Sequence, residues 1–143
     1  METLTGISAS PGIAIGKVFY YLDENIKVPR YGITKEESAS EKRRFFVAVD
    51  RARAEIEALK TDSSTEMGED QSKFLDAHIL MLQDPDFIGN IEKNLELELR
   101  NVEWILYDAI DGLVQRLESS TDVYLKERTL DIHDVSKRIL NHL

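Results

Sequence analysis

The chain contains no cysteine, which excludes both a disulfide scaffold and a thiolate metal site. No apolar run approaches the roughly 18 residues that a membrane span needs. Residues Met1 to Gly6 lack the basic start and long apolar stretch of a secretory signal, so the expected location is the cytoplasm. Basic residues are in the minority, 18 Lys and Arg against 27 Asp and Glu, giving a net charge of −9 and a pI near 4.8. That balance argues against nucleic acid or an anionic membrane as a partner and favours a basic protein. Glycine and proline are scarce beyond residue 32, where only Gly68, Gly89, Gly112 and Pro85 occur.

What is present suits one helical core. A chain of 143 residues with 42% apolar side chains can bury about two-thirds of its unfolded surface. The opening Thr3 to Tyr21 reads as two short β segments around a Ser10-Pro11-Gly12 turn, with Ile13, Ile15, Val18 and Phe19 as strand-favouring residues. Two strands do not make a stable sheet alone. From Thr34 onward the pattern is helical. Thr34 and Glu37 form a capping box, and Phe45, Val49, Ala52, Ile56 and Leu59 follow on one face of a helix ending near Lys60. Phe74, Leu75, His78, Ile79 and Leu82 mark a second helix, kinked at Asp84-Pro85, an N-cap followed by a residue suited to the first helical position. Ile88, Ile91, Leu95 and Leu99 continue it as a third segment. A fourth helix is expected over Val102 to Glu118 with Val102, Leu106, Ala109, Leu113 and Leu117 inward. A last one spans about Thr121 to Leu143 with Ile132, Val135, Ile139 and Leu143 inward. The expectation is a mainly α protein: an antiparallel bundle of four to five helices fronted by an extended arm, with short connections.

Catalytic signatures are absent. Neither His78 nor His133 has a glutamate three residues before it, as a carboxylate di-metal bundle requires, and no His-Glu-x-x-His occurs. The sequence Gly12-Ile13-Ala14-Ile15-Gly16 is too sparse in glycine for a phosphate loop and leads into a strand. The informative stretch is Glu69 to Asp86, which has acidic ends and a dense apolar middle. Leu75, Ile79 and Leu82 share one helical face, while Leu80 and Met81 point elsewhere. Exposed apolar groups ringed by Glu69, Asp70, Asp84 and Asp86 would make a docking patch for a basic protein. On the alternative reading, Leu80 and Met81 fill a crowded core and the acids are solvated surface.

Gly6-Ile7-Ser8-Ala9-Ser10-Pro11-Gly12-Ile13-Ala14-Ile15-Gly16-Lys17 resembles the amino terminus of enzyme I of the bacterial phosphoenolpyruvate-dependent sugar phosphotransferase system. The stretch Gly68-Glu69 through His78-Ile79-Leu80-Met81-Leu82 to Asp84 resembles that family's partner-docking segment. So does Tyr124-Leu125-Lys126-Glu127-Arg128, followed by Asp131-Ile132 and by Asp134 to Leu140. The matches fall in order along the whole chain.

The resemblance implies a division into residues 1–32, the first strands of an incomplete phosphohistidine α/β domain, and residues 33–143, a helical subdomain that binds HPr, the small phosphocarrier. Family members are several domains longer. They take phosphate from phosphoenolpyruvate on a histidine in a Thr-Ser-His context, with magnesium in a carboxy-terminal barrel, and pass it to HPr. This chain has no Thr-Ser-His, so it is expected to be inactive alone, without cofactor, as a fragment or a naturally short homologue. Carried over by position, Glu69, Asp70, His78, Leu80, Met81, Asp84, Asp86, Gly112 and Arg128 match HPr contacts. Gln71, Lys73, Pro85 and Tyr107 depart from the family's form, which bears on specificity for a given carrier. Expected partners are HPr and the remainder of enzyme I. A second copy paired through the amino-terminal strands belongs to the alternative reading, a helical adaptor.

Overall fold

The computed structural model describes residues 11–13, 15–17, 27–62 and 69–143, without the side chains of 62, 69–71 and 123–127. Five helices follow one another: α1 (Ser38–Asp62), α2 (Glu69–Leu82), α3 (Pro85–Glu98), α4 (Val102–Glu118) and α5 (Val123–His142). The expected strands over Thr3 to Tyr21 lie mostly outside the described residues. Within them, Gly12 has φ +127°, a backbone state that only glycine adopts at little cost, as the Ser-Pro-Gly turn requires.

The capping box forms just ahead of α1. Thr34 N donates to Glu37 Oε2 at 2.7 Å, and Glu37 N donates to Thr34 Oγ1 at 3.3 Å. That backbone donor, with the Thr34 hydroxyl, holds the Glu37 carboxyl below its usual value. From α1, Phe45, Ala48, Val49, Ala52 and Ile56 enter the core. Leu59 does not. It is a surface residue, although Ile56 three positions earlier is fully buried, and α1 runs on to Asp62.

α2 and α3 are one helical path interrupted at Gln83–Asp84. Asp84 leaves helical geometry at φ −66°, ψ 116°, and its Oδ1 accepts from Asp86 N at 2.8 Å and Phe87 N at 3.2 Å. Pro85 takes the first helical position, where a missing N–H removes a donor that had no partner anyway. The path therefore stops and restarts without stranding backbone donors. α3 ends at Leu99, whose left-handed conformation (φ 50°, ψ 50°) turns the chain back toward α4. Leu99 accordingly closes the helix and is only half-buried, whereas Ile91 and Leu95 are fully buried.

The start of α4 is a polar junction. Asn101 holds the N-cap position, but its side chain caps nothing. Instead it clamps the segment entering α1: Tyr31 N donates to Asn101 Oδ1 at 3.0 Å, and Asn101 Nδ2 donates to Pro29 O at 3.0 Å and to Glu103 Oε2 at 2.7 Å. An isolated antiparallel bridge between Gly32 and Arg100 extends the clamp. Glu41 of α1 supplies the missing cap, its Oε2 accepting from Val102 N at 2.8 Å. α4 then buries Val102, Ile105, Leu106, Ile110 and Val114, and α5 buries Ile132, Val135 and Ile139. α5 packs on both α4 and α1, while α2 packs on α1, α5 and α3. The result is the mainly helical bundle that the periodicity implies, four helical paths with one bent.

Candidate docking surface

The acidic-apolar stretch occupies α2 and the corner into α3. Leu75, His78 and Leu82 face inward. Three and four residue steps put these on one stripe, which leaves Leu80 on the opposite side, 67% exposed. Met81 is half-buried against the core. The two alternatives for Leu80 and Met81 thus divide between them: Leu80 is surface, and Met81 lies at the boundary. Asp84 and Asp86 are exposed beside them at the corner. One oxygen of Asp84 is already engaged in capping α3, and Asp86 stands in the first turn, where a negative charge suits the helix dipole. Glu69 and Asp70 open α2, but their side chains lie outside the described residues.

His78 sits behind this surface. It is 1% exposed, and neither ring nitrogen has a hydrogen-bond partner among the described residues. The Phe74 ring covers it with centroids 4.2 Å apart, and Phe74 itself is partly exposed. Asp131 Oδ1 on α5 is 4.0 Å from His78 Nε2. Burial depresses the imidazole pKa; Asp131 and Asp134 pull it up, while Arg138 and Arg128 add to the depression. Arg128, in the first half of α5, places Nη1 3.2 Å from Asp131 Oδ2. The packing of α2 on α5 thus brings His78 and Arg128 to one carboxylate. Gly112 stands apart, on α4, which packs on α1, α3 and α5 and makes no contact with α2 among the described residues. A methyl group at Gly112 would meet nothing within 4 Å, so its position opens outward.

Asp131 is a site residue that sequence reasoning missed as a partner of His78, although its spacing of three from Arg128 announced the second pair. Leu130 was missed too. It is 71% exposed, and it falls outside the Ile132, Val135, Ile139 series that marks the core face of α5. Among the described residues, no group of three His, Cys, Asp or Glu side chains could hold a metal ion, and no helix is long and apolar enough to cross a membrane.

Residues 5–128 match the family model described as PEP-utilising enzyme, N-terminal. The phosphoenolpyruvate-protein phosphotransferase of Listeria monocytogenes is 36% identical over 142 residues, covering 99% of this chain and 24% of that protein. The enzyme of the same name from Bacillus subtilis is 34% identical over 143 residues, covering all of this chain and 25% of its own length. This chain therefore spans about a quarter of the length of the curated relatives it matches. In solved structures, an NMR solution structure of Enzyme I superposes with a TM-score of 0.85 at 33% identity, over 98% of this chain and 56% of that one.

Proposed function

The chain belongs to the PEP-utilising enzyme, N-terminal, family, and on that premise we propose that it is the HPr-docking part of a phosphoenolpyruvate-protein phosphotransferase. In this reading it holds the phosphocarrier while phosphate from phosphoenolpyruvate passes to it for sugar uptake in the cytoplasm. The observation that carries the reading is Leu80, a large apolar side chain left in solvent on α2 beside the acidic corner of Asp84 and Asp86.

Burying Leu80 against an apolar spot on the carrier would supply about 1–2 kcal/mol. Met81, unbranched and polarizable, would adjust its half-buried side chain to the fit. Asp84, Asp86 and the acids at Glu69 and Asp70 would steer a basic partner and fix its register. Arg128 would supply a cation at the edge, and Gly112 would let a partner approach the backbone of α4. The division at residues 32 and 33 belongs to the same reading.

A bundle of this kind orients a partner and contributes no phosphoryl chemistry of its own. Of the three histidines, His78 is buried, His133 is exposed, and His142 Nε2 lies 3.0 Å from Glu55 Oε2. Incubation of this chain with phosphoenolpyruvate and magnesium should leave it unlabelled; acid-labile label on a histidine would overturn that.

Titration with HPr, followed by amide chemical shifts, should move residues 69–86 and the start of α5 and leave the exposed face of α1 unchanged. Affinity is expected in the micromolar range, about −7 to −8 kcal/mol, and should weaken with salt. Leu80→Ala should weaken binding about five- to thirtyfold while keeping helicity. Unchanged binding in that variant would sink the surface, and clean sedimentation as a dimer without HPr binding would favour the adaptor reading.

A further inference from the structure

A groove of about 440 Å³ opens between the first half of α1 and the end of α5, a volume in the range of small-molecule sites. α1 supplies Ser40, Arg43, Arg44, Val47 and Arg51, which steps of three and four residues put on one stripe. His142 and Leu143 close the other side. Three arginines thus face a groove that no carboxylate side chain lines, in a chain whose net charge is −9.

Two of these guanidiniums are uncommitted. Arg44 is spent on Glu41, Glu103 and the Leu143 oxygen. The side chains of Arg43 and Arg51 are exposed and make no ion pair or hydrogen bond among the described residues. The acids beside them are engaged elsewhere. Asp50, next to Arg51, pairs with Arg53 at 3.3 Å, and Glu55, one turn further on, holds both Arg138 and His142. Ser40 Oγ donates to Glu37 O at 2.8 Å, so its proton is not offered to the groove.

Val47 is exposed midway between the two free arginines, and Leu143 adds a second apolar surface. At the rise of an α-helix, Arg43 and Arg51 stand about 12 Å apart along α1, and both side chains are long enough to converge over Val47. The arrangement is a cation, an apolar step and a second cation.

We propose that this groove binds a small organic dianion, two oxyanion groups joined by a short carbon chain. Arg43 takes one end and Arg51 the other, each through the forked, charge-assisted pairing that a guanidinium makes with carboxylate or phosphate. The carbon chain lies over Val47 and against Leu143. Arg44 stays with its two acids and fixes the floor. None of these residues belongs to α2 or to the Asp84 corner, so the inference stands apart from the docking reading.

The test uses this chain and three probes at constant ionic strength, which keeps general screening out of the comparison. Glutarate, phosphonoacetate or butyrate is added while the arginine Nε–Hε signals are followed by NMR. Glutarate or phosphonoacetate should shift Arg43 and Arg51 together, with a common Kd of about 1 mM. The tighter of the two tells whether the second end is a carboxylate or a phosphate-like group. Butyrate has a similar apolar chain but one carboxylate, and should bind at least about fivefold more weakly than the better dianion, the scale of one exposed charge pair. The Arg53 and Arg100 signals should not follow.

In Arg43→Gln and in Arg51→Gln the advantage of the dianion over butyrate should vanish, because one end has lost its partner. Both positions are exposed and glutamine is a good helix former, so the fold should be kept. Leu80→Ala, on α2, should bind the dianion like the wild type. No saturable shift with either dianion up to about 50 mM, far above the expected Kd, would overturn the proposal. So would equal binding of butyrate, or an unchanged preference in the folded glutamine variants. If a variant fails to fold, the wild-type comparison of dianion with butyrate decides.

Discussion

Arg44 Nη2 on α1 lies 2.5 Å from Glu103 Oε1 on α4, and the same nitrogen donates to the Leu143 carbonyl oxygen at 2.9 Å. Through Nη1 the guanidinium also holds Glu41 at 2.7 Å. Glu41 and Glu103 are both buried, and one arginine answers both. Although partial burial opposes its charge, these two carboxylates hold the Arg44 pKa well above its usual value.

Removing that arginine should therefore cost more than an ordinary surface pair. Arg44→Ala leaves two buried carboxylates without their cation and should destabilise the fold by about 2–3 kcal/mol; the partial exposure of Arg44 keeps the loss below that of a fully buried pair. Urea unfolding of the variant would measure it. A loss under about 0.5 kcal/mol, the usual surface range, would show that water already serves the two acids.

Acid should expose the same junction. Burial works to raise the Glu103 pKa, but its own backbone N–H, the Asn101 amide and Arg44 outweigh it and hold the carboxyl below the usual value. A depressed folded-state pKa means the contribution is complete above the unfolded value of about 4.3 and is lost as pH falls through the folded one. Stability measured from about pH 6 to pH 3 should fall less steeply in Glu103→Gln than in the wild type.

Asn101→Ala should open the clamp on Pro29 and Tyr31. Two backbone groups and Glu103 lose a partner, for a cost of about 1–3 kcal/mol. Trp104, the chain's single tryptophan, lies near Arg30 and Arg100, with ring-to-guanidinium distances of 5.6 and 4.4 Å. Its fluorescence should change in the variant, and amide exchange at Tyr31 should accelerate. A protected Tyr31 amide would mean the Gly32–Arg100 bridge suffices.

Asp84 has two jobs that substitution can separate. Asp84→Ala should cost about 1 kcal/mol by uncapping α3, whereas Asp84→Asn should keep most of the cap. If its charge serves docking, both variants should weaken HPr binding, and the asparagine variant should do so at nearly unchanged Tm.

Leu80→Ala should alter stability by less than about 0.5 kcal/mol, while Leu82→Ala, two residues on and buried, should cost about 2–5 kcal/mol. Thermal melts of the two variants test the division of α2 directly.

The helices were legible because each buries a stripe whose spacing is written in the chain. The α4 bounds at Val102 and Glu118 coincide with the expected ones, and Asp84-Pro85 marked the interruption by its own capping chemistry. Less legible was anything settled by a neighbour distant in sequence. Glu41 capping α4 joins residues 61 apart, and the Asn101 contact with Tyr31 joins residues 70 apart. Leu59 has the right spacing and still lies at the surface, and Leu80 and Met81 could be divided only once the rotation of α2 against the core was known. Residue type alone could not say that His78 would lie without a partner, since that depends on where α5 places Asp131.

The closure of α5 on α1 governs how the protein is born. Arg44 meets Leu143 across 99 residues, and Glu55 receives both Arg138 and His142. During synthesis, therefore, Phe45, Val49, Ala52 and Ile56 leave the ribosome long before Val135 and Ile139 exist to cover them. Until the last helix emerges, the part of that stripe which α5 covers stays open, the kind of surface that chaperones hold and that aggregates in their absence.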